Sequence, residues 1–468
     1  MAKYSLPLLL LFILNVFLHG CSSKIFLQND QQQQQQQHKL RARTDCRVEQ
    51  LTAQEPTIRY KSEAGQTEFW DRNNEQFECA GVAAVRNIIQ SKGLLGLLGT
   101  VIPGCAETYE SEIRQQEEEE EGSESEQSRR FVDRHQKVRQ FRQGDVLALP
   151  AGFTLWLYNN GDDQLITVAL LDTGNEANQL DQTFRNFFLA GKPQGGSQSH
   201  GKRSQGQKKH NIFYGLDDEI LAEIFGVGRE TVRKIKGQDD ERGQIVRAER
   251  LNVVIPRERE WESSRPNGLE ETVCSLKLRE NLDEPSTADV YNPQAGRLSS
   301  LNSHKLPILS LLRLSAQKGV LRRNAIMAPH WTANAHSIIY VTRGSGRFQV
   351  VGHTGKSVYD GEVQEGQMII VPQNFVVVKK ASDNDEGLEW ISFKTNDNAI
   401  ASPLAGRLSA FRAMPEEVLM NAYHISKEDA RRLKYSREET GVFSSSSSSR
   451  SHMPKPMEYA FDVIKTMM

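Results

Sequence analysis

Gly366-Gln367-Met368-Ile369-Ile370-Val371-Pro372-Gln373-Asn374 repeats, at an offset of 222 (366 against 144), the pattern of Gly144-Asp145-Val146-Leu147-Ala148-Leu149-Pro150-Ala151-Gly152. In both stretches a glycine turn opens a short run of β-favouring residues. A proline then closes the run, because proline has no N–H to give to a central ladder. Each stretch leads into a second apolar run, 154–158 in the first copy and 375–379 in the second, which reads as the next strand.

The repetition extends into helices. Asp217-Asp218-Glu219-Ile220-Leu221-Ala222-Glu223-Ile224-Phe225-Gly226-Val227 parallels Pro415-Glu416-Glu417-Val418-Leu419-Met420-Asn421-Ala422-Tyr423-His424-Ile425 at an offset of 198 (415 against 217). Both copies place acidic residues in the first turn, where the helix dipole favours them, and apolar residues at helical spacing. A second helix follows in step, over 229–236 and 427–434. The offset falls from 222 to 198, so the first copy is longer by 24 between these landmarks, most of it in the Gly/Gln/Ser/Lys-rich segment 192–209. Short strands with Gly and Pro punctuation followed by a helical pair, all occurring twice, predict a mainly β protein. Its unit is a small closed barrel with a helical extension, and closure removes the open edges a single sheet would leave.

The 468 residues carry 38% hydrophobic and 25% charged side chains, enough for two packed cores. A net charge of −2 excludes a nucleic-acid binder of ordinary type, which needs a basic excess to neutralise phosphates. Lys3, an apolar run from Leu6 to Leu18, and the small or polar Gly20, Cys21, Ser22 and Ser23 read as a signal peptide over 1–23. The apolar core is too short for a membrane anchor, and no later run approaches the roughly 18 apolar residues that a spanning helix needs. Leu18-His19-Gly20-Cys21 loosely resembles a bacterial lipid-attachment site, which His19 fits poorly. With the leader gone, Cys46, Cys79, Cys105 and Cys274 remain. An even number in an oxidising compartment points to two disulfides, in any of three pairings. No close cysteine pair suggests zinc. The runs 31–37 (Gln), 117–126 (acidic), 192–209 and 444–449 (Ser) lack the apolar area to offset ordering entropy, and are expected to be exposed loops or tails.

Several long motifs, in order, resemble the legumin (11S globulin) seed storage proteins of the cupin superfamily along nearly the whole mature chain. They are Arg47-Val48-Glu49-Gln50-Leu51-Thr52-Ala53-Gln54-Glu55-Pro56, Glu68-Phe69-Trp70-Asp71, Phe77-Glu78-Cys79-Ala80-Gly81-Val82-Ala83, Gly104-Cys105-Ala106-Glu107-Thr108-Tyr109-Glu110 and Asn267-Gly268-Leu269-Glu270-Glu271-Thr272-Val273-Cys274. The resemblance implies a bicupin of two jelly-roll-like barrels and a non-enzymatic nutrient reservoir without cofactor, held in the protein storage vacuole of a plant seed, with allergens among its kind. It pairs Cys46 with Cys79, and Cys105 with Cys274. It also implies cleavage between Asn267 and Gly268 by an Asn-specific vacuolar protease, giving an acidic chain over 24–267 and a basic chain over 268–468 that stay joined by the second disulfide. The site has a physical rationale, since 258–266 is charged and contains proline, as an accessible loop would be. Residues 24–267 hold 33 Lys and Arg against 38 Asp and Glu, and residues 268–468 hold 24 against 22, so the two products differ in sign. Self-assembly to trimers and then hexamers is implied through the helical extensions, with Ile220, Leu221, Ile224, Val418, Leu419 and Tyr423 expected at the contacts. No membrane or nucleic-acid partner is implied.

The first copy departs from the family pattern. The second runs from Gln317-Lys318-Gly319 through Ala328-Pro329-His330 and a strand over 337–342 to a Gly344-Ser345-Gly346 turn, whereas Gln90-Ser91-Lys92-Gly93 passes almost directly to Gly96-Leu97-Leu98-Gly99. Roughly 15 to 20 residues are missing, about two strands of ordinary length. A truncated, rearranged first barrel is therefore expected.

Many cupins bind a metal inside the barrel through three histidines and a glutamate, ligand types that suit iron, manganese or zinc. The matching positions of the second copy are His330, Thr332, Ser337 and Val377, and a single ligand does not hold an ion. In the first copy Leu155 replaces the last ligand and the segment that would supply the others is absent. His330 and His336 then read as structural, and Trp156, Trp331 and Trp390 as barrel packing. There is no nucleophile elbow, phosphate loop or dinucleotide fingerprint. The alternatives to storage are a metal-dependent cupin enzyme of the oxalate-degrading type and a vicilin-like cupin that holds a sugar or other small ligand.

Overall fold

The computed structural model describes residues 46, 48–71, 73–90, 95–102, 108–112, 131–135, 138–175, 178–179, 188–191, 211–248 and 276–445. The leader, the Gln, acidic and Gly/Gln-rich runs, Cys105, Cys274, Asn267 and Gly268 lie outside them.

In chain order the first half contains β1 (Ile58–Ser62), β2 (Gly65–Phe69), α1 (Glu75–Ala80), β3 (Val82–Ile89), β4 (Leu95–Val101), β5 (Thr108–Glu112), β6 (Phe131–His135), β7 (Val138–Phe141), β8 (Asp145–Leu147), β9 (Thr154–Asn160), β10 (Leu165–Asp172), α2 (Asp218–Phe225) and α3 (Arg229–Ile235). The second half contains β11 (Arg279–Asn281), β12 (Val290–Asn292), β13 (Gly296–Leu301), α4 (Leu309–Leu312), β14 (Ser315–Leu321), β15 (Ile326–Thr332), β16 (Ser337–Val351), β17 (Ser357–Gln364), β18 (Met368–Val371), β19 (Val376–Ala381), β20 (Leu388–Lys394), β21 (Ala401–Pro403), α5 (Ala410–Ala413), α6 (Glu416–Tyr423), α7 (Lys427–Tyr435) and β22 (Val442–Phe443).

The second half forms one eleven-stranded, nearly closed sheet, and β16 is the strand that joins its two faces. The first part of β16, Ser337 to Tyr340, pairs with β18 on one edge and with β20 on the other. Its later part, Gly346 to Val351, pairs with β17 and β19. The two faces of the jelly roll are thus joined through a single strand. The expected Gly344-Ser345-Gly346 turn is instead the point inside this strand where partners change: the register shifts between Val341 and Arg343, and Gly344 takes φ 71° to let the chain bend. Inward residues of both faces form one core around Trp390, Phe348, Ile339, Val341 and Val350. The run starting at Ser444 is another departure from expectation: Ser444 is buried just past β22, which pairs with β15.

In the first half the described strands fall into separate small sheets: β1-β2-β3-β10, β7-β4-β9, β5-β6, and β8 with β11. Register identifies what is missing. Leu97 faces Gln140 of β7 and Tyr158 of β9, as Arg347 faces Glu362 of β17 and Lys380 of β19. Both of those partners keep the offset of 222 (362 against 140, 380 against 158), so β4 is the counterpart of the later part of β16, at an offset of 250 (347 against 97). Upstream, Val82 faces Asp172 as Ser315 faces Lys394, an offset of 233 for β3 and β14 (315 against 82). The offsets 250 and 233 differ by 17, which matches β15 together with the part of β16 that bridges β18 and β20. The first barrel is truncated at the element that would have joined its faces.

The helical extensions follow the sequence closely. Asp217 caps α2 by accepting from the N–H groups of Glu219 and Ile220, and Gly226 ends it in the left-handed region. Ser426 caps α7 through the N–H of Asp429. The duplication reaches single hydrogen bonds. Lys236 Nζ donates to the carbonyl of Leu216 (2.7 Å), and at the helix offset Lys434 Nζ donates to that of Met414 (2.5 Å).

The halves brace one another. The segment leading into each half adds to a strand of the other, Gln54 bridging Met368 while Glu280 pairs with Val146. Trp70, Phe77, Val82 and Ala84 of the first half form a buried cluster with Ile338, Tyr340, Met368 and Ile370 of the second. Beside it, Glu68 is 1% exposed and is held by Arg86 and Arg59, and Arg86 also donates to the Tyr340 hydroxyl at 3.2 Å.

Candidate functional site

The lumen of the second barrel is where strand alternation gathers buried polar groups. His330, Thr332, Ser337 and Val377, the four positions that correspond to metal ligands in other cupins, converge there and are all buried. His330 and Val377 are cross-strand partners on β15 and β19. His330 Nδ1 donates to the carbonyl of Ala328 at 2.9 Å. The Thr332 and Ser337 hydroxyls lie 3.3 Å apart.

Two lysines complete the site, and no reading of the sequence singled them out. Leu388, Trp390, Ser392 and Lys394 alternate inward along β20, and Lys394 Nζ donates to Ser337 Oγ (2.5 Å) and Thr332 Oγ1 (3.3 Å). Lys379 enters from β19, with its Nζ 3.6 Å from Met327 Sδ, 4.9 Å from the centroid of the Trp390 ring and 5.9 Å from that of Phe348. An ammonium over aromatic faces is a favourable contact in a dry site.

Charge follows from this burial. Lys394 is pushed down to about 8 by loss of solvent. Lys379 lies well below the usual lysine value, through burial first and the nearby Lys394 second. The His330 imidazole is held well below its usual range by burial, then by Lys379 and Lys394, and is neutral. No carboxylate is among the groups acting on these three bases.

This donor set does not fit a divalent ion. One neutral histidine is accompanied by two hydroxyls, a valine and two amines, and cationic side chains near the centre oppose a metal that would need anionic or neutral ligands converging on it. Among the described residues no group of three His, Cys, Asp or Glu side chains is arranged for a metal. In the first half Leu155, at the position of Val377, is exposed.

Of the other residues singled out from sequence, Cys46 and Cys79 are joined as a disulfide, which ties the N-terminal segment to α1. His336 closes the loop before β16: its N–H donates to Thr395 Oγ1 and its Nδ1 accepts from the N–H of Gln373. Trp390 is fully buried in the core, while Trp156 and Trp331 are half-buried on their strands. The helical contact set divides. Ile220, Ile224, Val418 and Tyr423 are exposed, but Leu221 (2% exposed) and Leu419 (0%) pack inside their own chain. The correction has a simple cause, since an amphipathic helix must first pack against the other helix of its own extension, α2 on α3 and α6 on α7, and only its outer flank is free for a partner.

The cupin family model matches residues 49–195 and 280–431, one match in each of the two halves described above, with α2 and α3 beyond the first match. The 11S globulin subunit beta of Cucurbita maxima is 46% identical over 92% of this chain and 96% of its own length. This chain belongs to the 11S globulins. Cocosin 1 of Cocos nucifera is 44% identical over 96% of the chain and 98% of the relative. Among solved structures, the pumpkin seed globulin crystal structure superposes with a TM-score of 0.71 at 45% identity, covering 86% of this 11S globulin and 99% of the other chain.

Proposed function

We propose that this 11S globulin is a seed storage protein, a nutrient reservoir with no catalytic task. The observation that carries the reading is its end-to-end similarity, at 44–46% identity, to 11S globulin relatives, among them the 11S globulin seed storage protein 1 of Carya illinoinensis at 45%. The lumen is in keeping with it: of the four positions that hold a metal in other cupins, His330, Thr332, Ser337 and Val377, only His330 carries a side chain of a metal-ligating type used there. Runs rich in Gln, Arg and Lys at 31–37 and 192–209 supply nitrogen.

Maturation in the storage vacuole of the seed follows from the same reading. The signal peptide over 1–23 is removed and an Asn-specific vacuolar protease cuts between Asn267 and Gly268. The acidic chain, 24–267, and the basic chain, 268–468, then stay linked through Cys105 and Cys274. Assembly to trimers and, after the cut, hexamers uses the exposed flanks of the helical extensions. Ile220 and Ile224 on α2, with Val418 and Tyr423 on α6, are apolar and solvent-facing, and Ile220 and Val418 hold equivalent positions in the two halves. Such surface is expected to be covered in an assembly.

The test is electrophoresis of protein extracted from developing seed. A single heavy species without reductant, splitting into a larger and a smaller band with it, is the expected result. A single band under both conditions would exclude the processed, bridged form, and an absence of accumulation during seed filling would exclude storage.

A further inference from the structure

The stretch missing from the first half leaves a strand of interior composition at the margin of a sheet. In the second half β20 lies between β14 and the first part of β16. Its counterpart β10 pairs with β3, and among the described residues no strand lies along its other edge. Backbone alternation tells which groups that edge presents. Gln90 N–H donates to the carbonyl of Ala64, and the carbonyl of Ala84 accepts from Trp70, so even-numbered residues of β3 turn to β2 and odd-numbered ones to β10. By register the partners of the odd-numbered residues are Leu165, Thr167, Ala169 and Leu171. The N–H and C=O groups of Ile166, Val168 and Leu170 are therefore directed outward. In β20 the matching edge is filled: Thr395 N–H donates to His336, and in the same phase Phe393 and Ile391 face Ile338 and Tyr340 of β16.

Sheets usually guard such an edge with charge, proline or a bulge. β1, the other margin of the same sheet, follows the rule with Arg59 and Lys61, both exposed. β10 does not. Leu165-Ile166-Thr167-Val168-Ala169-Leu170-Leu171 has no charged residue or proline, its register with β3 is unbroken, and Ile166 is 51% exposed.

We propose that the outer edge of β10 is a self-association site, at which a second copy of this chain adds its own β10 as an antiparallel strand. The edge itself specifies this occupant. Two identical edges run antiparallel are complementary under a twofold axis, each offering the donors and acceptors that the other needs. No like charges meet along the uncharged run, and the two Asp172 side chains fall at opposite ends of the ladder. One strand pair is a small contact, so the association is weak and depends on concentration. It is separate from the helical flanks assigned to trimers and hexamers, links those particles to one another, and holds or fails independently of the storage reading.

The experiment uses the purified full-length chain. Sedimentation velocity is expected to show the parent growing, as concentration rises, from the particle it forms when dilute to pairs of particles and larger species. Ile166→Lys, which puts a charge on the exposed edge, is expected to remain at the dilute particle. Amide exchange locates the contact: Ile166, Val168 and Leu170 are expected to exchange at least about tenfold more slowly in the associated parent than in the dilute one, while Thr167 and Ala169, bonded to β3, stay slow in both. Ala169→Lys, also at an exposed position, supplies the same readout if Ile166→Lys does not fold. A parent that does not grow with concentration, growth unchanged in the lysine variants, or equal protection of the three outward amides in dilute and concentrated protein overturns the site.

Discussion

Lys394→Met removes one buried ammonium from the lumen while keeping most of the side chain's apolar length. In the folded chain burial brings the Lys394 pKa down to about 8 from an ordinary value of 10.5. Below pH 8 both states are protonated, and the folded state bears the full penalty of holding a charge out of water. Between pH 8 and 10.5 the unfolded chain binds more protons than the folded one, so stability rises with pH, and above 10.5 the penalty is gone. The depression of about 2.5 pH units corresponds to about 3 kcal/mol. Against this stands the loss of the Lys394 hydrogen bonds, about 1 kcal/mol net. Ser337 and Thr332 are not orphaned, because their hydroxyls lie 3.3 Å apart and can bond each other. The variant is therefore expected to be more stable than the parent by about 2 kcal/mol at pH 7, with the difference falling close to zero at pH 9.5. Urea unfolding of both proteins at equal concentration, so that assembly contributes alike, measures it. A variant less stable than the parent at pH 7, or a difference that does not change with pH, would refute the reasoning.

Gly319→Ala is expected to destabilise the second barrel by about 2–3 kcal/mol through overpacking, because a Cβ there would stand 2.0 Å from the Trp390 ring. Gly215→Ala, where a Cβ meets nothing within 4 Å, is the matched control and should leave the thermal midpoint unchanged. Glu68→Ala strips the buried partner from Arg86 and is expected to cost about 3–5 kcal/mol, read as a lowered urea midpoint; a change of a few tenths would mean that the pair does not brace the halves. Cys105→Ser should release the basic chain from the acidic one on a gel without reductant, and the heavy species should persist if the chains are joined elsewhere. Asn267→Ala is expected to remain uncut and to sediment as a trimer, so hexamers of the uncut variant would contradict the proposed order of cleavage and assembly.

The barrel framework was legible because its determinants are local. Gly144 and Gly366 both take φ 83°, the left-handed value that selects glycine, so the opening turns could be recognised as a pair across the two halves. The helices were read nearly to the residue for a similar reason: caps and acidic first turns lie within a few positions of the helix they start. The lumen was less visible. Val376–Ala381 reads VVVKKA, and either Lys379 or Lys380 could face inward until a register is known; the pairing of Lys379 with Phe348 decides it. A one-residue slip would have exchanged the two. The bracing contact of Arg86 with Tyr340 joins positions 254 apart and belongs to the packing of the halves, which no local pattern encodes.

Pseudo-symmetry also shows where the deletion in the first barrel acts. One inter-half cluster sets Trp70, Phe77 and Val82 against Ile338 and Tyr340 of β16 and Met368 and Ile370 of the β18 strand. Its counterpart sets Leu301, Leu309 and Ala316 against the first half. There Val146 and Ala148 stand at the positions of Met368 and Ile370, by the same offset that relates the opening turns, but the positions of Ile338 and Tyr340 fall within the deleted stretch. Ile102, just past β4 and 1% exposed, occupies that cluster instead. The deletion thus removes apolar partners from one of two equivalent interfaces and leaves the other, with its Glu68–Arg86–Tyr340 brace, complete. Because β16 supplies both its own barrel and that intact interface, the second half does not depend on closure of the first. Closure needs a strand shared between two faces, whereas the bracing needs only one face from each half, and this is why a chain shortened within its first barrel keeps a complete second one.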